Sequence, residues 1–130
     1  MGENPIVGQL VAIACGGAVG ALGRFGIQHW LAPIYSGRFP LAILVTNSIG
    51  SLLIGLAYVL IEERGILPAS WRPFLIVGLL GAFTTFSTFS LDSIRLVEQG
   101  EWLMALGNVF SNVFVSLLGV SVGLYIGRWL

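Results

Sequence analysis

The 130-residue chain contains no lysine, a single cysteine and a single histidine, and only 9% of its residues are charged. A soluble domain of this size carries roughly a quarter charged residues. With 56% hydrophobic residues and a mean hydropathy of +0.94, the composition is that of a membrane protein rather than of a buried soluble core. Cys15 has no second cysteine to pair with and is expected to pack as a small hydrophobe. No carboxylate or histidine falls deep within an apolar stretch: Glu3 and Asp92 are terminal to theirs, and His29 is near an interface. Proton-coupled export of organic cations needs a buried carboxylate, and a hydrophilic cation pore usually shows acidic rings. Both are disfavoured. The six arginines balance six acidic residues, and no nucleic-acid partner is expected.

What is present is organised as four spans. Residues 4–23, 39–61, 73–91 and 102–127 carry no charged side chain. Each is long enough to cross a hydrocarbon core of about 30 Å as a helix. They are too long and too numerous for a secretory signal, and the opening Met-Gly-Glu-Asn-Pro brings no basic region. Pro33, Pro40, Pro68 and Pro73 sit at span edges, where proline starts or stops a helix at little cost. Trp30, Trp71, Trp102 and Trp129 fall at span ends, as interfacial anchors do. The expectation is a single all-α transmembrane domain over 1–130, with spans at roughly 5–30, 39–61, 72–96 and 102–128.

An even number of spans places both termini on one side, with Arg64, Arg72 and Arg128; the other side holds Arg24, Arg38 and Arg95. This tie gives the positive-inside rule nothing to act on. Either a small protein simply has few charges, or the chain inserts both ways and pairs antiparallel with a copy of itself. Glycines supply small-residue faces in spans one (Gly16, Gly20, Gly23) and four (Gly119, Gly123, Gly127), with Ser51 and Gly55 in span two. They serve contacts within one chain or between two. Polar groups too numerous for four helices to satisfy favour a homodimer.

The polar groups concentrate. Residues 78–90, Gly-Leu-Leu-Gly-Ala-Phe-Thr-Thr-Phe-Ser-Thr-Phe-Ser, place the hydroxyls of Thr84, Thr85, Ser87, Thr88 and Ser90 among three phenylalanines spaced by three. A lipid-facing helix has no use for these hydroxyls, and buried polar groups need partners. Gly78, Gly81 and the β-branched threonines weaken the helix here. Two readings stay open. The third span breaks near mid-membrane, freeing carbonyls for a cation and amides for an anion, or it stays whole and its threonines bond back to the preceding turn. Asn47 and Ser51 share a face of span two, and Asn108, Asn112 and Ser116 form an i, i+4 stripe on span four. Asn47 alone could be interhelical glue; a stripe of three resembles the wall of a wet path. Arg24 either snorkels to the interface or bends toward a vestibule beside Gly23 and Gly26. Amide and hydroxyl donors, with the positive rims of phenyl rings, suit a small, strongly hydrated anion. The other classes open at this point are a small coupled exporter and a non-transporting assembly subunit.

Three segments carry a resemblance: Gly-Ala-Leu-Gly-Arg-Phe at 20–25, Thr-Asn-Ser-Ile-Gly-Ser at 46–51, and Gly-Ala-Phe-Thr-Thr-Phe-Ser-Thr-Phe-Ser at 81–90. In this order they resemble the CrcB/Fluc family of fluoride channels over the full chain. The resemblance implies a dual-topology antiparallel homodimer in the bacterial inner membrane, with two pores that passively release cytoplasmic fluoride. It implies no enzymatic activity and no organic cofactor. Asn47 corresponds to a pore asparagine, Phe86 and Phe89 to paired pore phenylalanines, and Ser87 and Thr88 to hydroxyls beside them. Gly81 and Thr84 correspond to residues whose backbone carbonyls hold a central structural sodium ion. Arg24 matches a vestibule arginine. Asn108, Asn112 and Ser116 fall on a polar track where relatives often have tyrosine or serine, and Phe83 is expected to be packing.

Overall fold

A computed structural model describes Gly2 and residues 4–130. Helix α1 spans Pro5–Leu31; its start is set by Pro5 in the first turn and by Asn4, whose side-chain oxygen accepts from the Ile6 amide at 3.2 Å. Helix α2 spans Leu41–Tyr58 after Pro40 and continues as a wider π turn over Val59–Glu63. Gly65, at φ +60°, ends it. A short 3₁₀ turn, Ala69–Trp71, leads into α3, which is wound as a π-helix over Pro73–Leu80 and ends in Gly81–Phe83. Helix α4 spans Phe86–Glu98 and α5 spans Trp102–Trp129. Gly100, at φ +79°, makes the turn between them: its amide donates to the Val97 carbonyl, and the Glu101 amide donates to that of Leu96. This is the Schellman closure.

Four helical stretches are long and apolar enough to cross a membrane: Pro5–Leu31, Leu41–Glu63, Ala69–Glu98 and Trp102–Trp129. Their outer faces are studded with exposed aliphatic and aromatic residues such as Leu22, Leu103 and Leu117, the inverse of a soluble fold. All four tryptophans are exposed at helix ends. Cys15 is also exposed rather than packed, because the inward face of α1 belongs to glycine.

Helix α1 packs against α3, α2 packs against α5, and α4 packs against α5. The first two contacts are made by glycine. A methyl group on Gly16 would collide with the Phe74 carbonyl, on Gly20 with the Leu79 carbonyl, and on Gly78 with the Ile13 carbonyl. Across the other pair, Gly55 faces the Val120 carbonyl, and Gly123 faces that of Leu52. Small residues let the helix backbones meet directly, which is how membrane helices gain dispersion energy. The glycine faces of spans one and four are therefore used inside the chain.

Ion pairs join helix ends. Arg128 forms a forked pair with Glu63 at 3.0 and 2.8 Å, Arg72 pairs with Glu62, and Arg38 pairs with Glu101 at 2.7 Å.

Candidate functional site

The helical ladder of the third span is interrupted at two residues. Thr84 has φ −81°, ψ 159° and Thr85 has φ −151°, ψ 123°, both extended. The sequence supplies a stop and a start at this point. Thr84 bonds back through its hydroxyl to the Leu80 carbonyl at 3.0 Å, while Thr85 is the N-cap of α4, its hydroxyl oxygen accepting from the Thr88 amide at 3.1 Å. An interruption leaves backbone groups unpaired on both sides. Among the described residues, the carbonyls of Gly81, Ala82, Phe83 and Thr84 accept no backbone amide across the gap.

Asn47 fills part of that gap. Its Oδ1 accepts from the Thr85 amide at 2.8 Å, and its Nδ2 donates to the Thr85 carbonyl at 3.1 Å. The side-chain amide thus pairs with an extended residue as a neighbouring strand would. The second Nδ2 proton goes to Asn112 Oδ1 at 3.0 Å. Asn112 Nδ2 donates in turn to Asn108 Oδ1 at 2.9 Å and to the Asn108 carbonyl at 3.0 Å. Asn108 Nδ2 donates to Ser93 Oγ at 2.9 Å, and Ser93 donates to the Phe89 carbonyl at 2.8 Å. Asn47, Thr85, Ser93, Asn108 and Asn112 are all buried, and among the described residues no buried side-chain polar atom lacks a partner. Each such bond contributes about 1 kcal/mol net, whereas a buried group left unpaired costs about 1–3 kcal/mol.

A cleft of about 390 Å³ opens beside this network. Asn47, Ser51, Thr84, Thr85, Asn112 and Ser116 provide its polar lining; Ile54, Ile76, Leu80, Phe86, Phe89 and Val113 provide the apolar part. Among the described residues, no charged side chain lines it. The rings of Phe86 and Phe89 lie 5.4 Å apart at 60°. Phe89 is buried, whereas Phe86 is 78% exposed on the chain. The hydroxyls of Ser51 and Ser116 make no hydrogen bond among the described residues.

The cleft brings together Asn47, Phe86, Phe89, Asn112, Ser116, Gly81 and Thr84 from the sequence-derived set. Ser87, Thr88, Asn108 and Arg24 lie outside its lining. Ser87 and Thr88 are instead grouped around the Thr85 hydroxyl, at 3.4 and 3.1 Å. Asn108 is fully buried, so the stripe on α5 does not present three equivalent side chains to one path. Arg24 is half-buried on α1, with no ion pair among the described residues. Phe83 packs against Gly23 and Gly50, separated from the other two phenylalanines by the interruption. Sequence reasoning missed Thr85 as the partner of Asn47. It also missed Ser93, whose signal was its position four residues beyond Phe89 on a helix.

Fold and cleft together define a small integral membrane protein with a largely apolar cleft between its helices, into which a few amides and hydroxyls project. The chain belongs to the CrcB family: the family described as "CrcB-like protein, Camphor Resistance (CrcB)" matches residues 11–124. Among curated relatives, the "Fluoride-specific ion channel FluC" of Saccharophagus degradans is 43% identical over 114 residues, covering 88% of this chain and 85% of the relative. The "Fluoride-specific ion channel FluC 2" of Symbiobacterium thermophilum is 42% identical over 121 residues, covering 92% and 98%. The Magnetococcus marinus relative, also a "Fluoride-specific ion channel FluC", is 39% identical over 120 residues, again covering 92% and 98%. Bacterial relatives and four membrane-length helices make this an integral protein of the bacterial inner membrane.

Proposed function

We propose that the chain is a passive fluoride channel, not an enzyme, and that fluoride passes through the cleft beside Asn47. The observation that carries this reading is the convergence of the Asn47 amide, two phenyl rings and two uncommitted hydroxyls on one cavity, in a chain whose relatives are named for fluoride. Fluoride is small and strongly hydrated, so a selective path must replace its water with donors. The hydroxyls of Ser51 and Ser116 are available for this. Asn47 contributes by exchange: fluoride takes the proton now given to Asn112 Oδ1, because a hydrogen bond to an anion is roughly twice as strong as one to a neutral carbonyl. The positive rims of Phe86 and Phe89 face the ion in the apolar part. Arg24 attracts anions toward the entrance, and Ser87, Thr88, Asn108 and Asn112 support the path from its margin.

The working unit is an antiparallel homodimer of dual topology, with one pore on each side of its axis. Support comes from the three-against-three arginine tie and from Phe86, which a single chain leaves exposed in the cleft lining. The interruption of the third span lies at mid-membrane. The carbonyls of Gly81 and Thr84 fit a structural sodium ion: they are hard oxygen donors without amide partners across the gap. Gly81 and Thr84 from each of two copies would supply four carbonyl oxygens, so the second copy contributes half of the site. When bound, sodium supplies a positive charge that braces the dimer and favours nearby anions.

Efflux from liposomes containing the purified protein tests the function. With a potassium ionophore clamping the voltage, fluoride should leave rapidly and chloride should not. Fluoride movement strictly dependent on a proton or sodium gradient would replace the channel by a coupled transporter.

A further inference from the structure

The hydrogen bonds behind the cleft run in one direction. The Thr85 amide donates to Asn47, Asn47 to Asn112, Asn112 to Asn108, Asn108 to Ser93, and Ser93 to the Phe89 carbonyl. Both ends are backbone groups with fixed roles, since an N–H can only donate and a carbonyl can only accept. That fixes the sense of every side chain between them. Turning any one amide around would set donor against donor or acceptor against acceptor in a buried site. The chain of bonds leaves the third span at Thr85, passes through α2 and α5, and re-enters α4 at Ser93. It therefore staples the first turns of α4 to two other helices. Neither Ser93 nor Asn108 lines the cleft.

We infer that Ser93 and Asn108 are positioning residues that hold the Asn112 side chain against the Asn47 amide, whose own sense is set by Thr85, so that a hydroxyl outside the cleft governs the donor–acceptor pair inside it. This rests on the reading of the cleft as an anion path. Ser93 is the critical link, because its single oxygen both accepts from Asn108 and donates to Phe89. Without it, the Asn108 amide loses its acceptor and its Oδ1 is no longer held toward Asn112, which keeps only the Asn108 backbone carbonyl and is held less firmly against Asn47.

The test compares Ser93→Ala with Ser93→Thr in the full-length protein. Alanine is a strong helix former and removes only the hydroxyl; threonine keeps the hydroxyl and its bond to the preceding turn. Two readouts are taken: fluoride efflux from liposomes, and the side-chain amide resonances of Asn47 in ¹⁵N-asparagine-labelled protein. Ser93→Ala should slow efflux about fivefold, the effect of losing one buried hydrogen bond, and should shift the Asn47 resonances although Ser93 does not touch Asn47. Ser93→Thr should restore both. Asn108→Ala breaks the same chain independently and should give the same shift, and adding it to Ser93→Ala should cost little more.

In a wild type that conducts, unchanged efflux in Ser93→Ala overturns the inference. So does slowed efflux with unmoved Asn47 resonances, because the loss would then not pass through Asn47. If the wild type carries no fluoride, the anion-path reading fails. Moved resonances in Ser93→Ala would still establish that Ser93 acts on Asn47 through Asn112, and unmoved ones would remove that as well.

Discussion

The two halves of the third span are held by opposite means. Residues Pro73–Phe83 are apolar, wound partly as a π-helix, and fixed to α1 through glycine-to-backbone contact. Residues Phe86–Glu98 are rich in hydroxyls and fixed to α2 and α5 by directional hydrogen bonds through Asn47, Asn112, Asn108 and Ser93. The first half depends on shape, and any added atom disturbs it. The second half depends on the sense of each donor, and in the proposed path only the Asn47 bond to Asn112 is exchanged for one to the ion. A rigid frame beside an adaptable polar wall is what a conduction path needs.

The largest expected effect falls on the first half. Gly20→Ala drives a methyl into the Leu79 carbonyl; overpacking of this kind should cost about 3 kcal/mol, read as loss of monodisperse protein and a lowered melting temperature. Asn47→Leu should cost about 2 kcal/mol, because the Thr85 amide and carbonyl lose their partner. What folds should conduct no fluoride. Phe86→Ala should leave the melting temperature of the solubilised protein little changed, since the ring is exposed on the chain, yet slow fluoride efflux roughly tenfold if its rim contributes about 1.4 kcal/mol to the ion. Full fluoride flux in both Phe86→Ala and Phe89→Ala would remove the rings from the path. The smallest effect belongs to the periphery. Arg38→Ala, which loses an exposed pair with Glu101, should change stability by no more than about 0.5 kcal/mol. A large loss there would mean that the loop ahead of α2 supports the site more directly than the division into two halves allows.

Much of this was legible from residues. Charge-free stretches and edge prolines located four helices, because the bilayer admits few alternatives. Asn47 and the hydroxyls of residues 84–90 stood out because amides and clustered hydroxyls are costly in lipid, whereas Phe86 and Phe89 were singled out as pore residues only by the family resemblance. The pairing of Asn47 with Thr85 was not legible, since a side chain that completes another helix's backbone leaves no periodic trace. Ser93 was hidden for a different reason: it stands beside Asp92 and Arg95 and reads as interfacial. The glycine faces were visible, but their use inside the chain was not, because a small-residue stripe does not say which helix it meets. The stripe of Asn108, Asn112 and Ser116 showed which residues share a face. It did not show that Asn108 is sealed behind Asn112, which depends on how α4 packs against α5.

The most direct measurement is the reversal potential of current through the purified protein in a planar bilayer, with fluoride on one side and chloride on the other. A fluoride-selective passive path through the Asn47 cleft predicts a current carried by fluoride alone, reversing far toward the fluoride equilibrium potential, and lost in Asn47→Leu. A reversal potential near zero, or one that follows an imposed proton gradient, would contradict it.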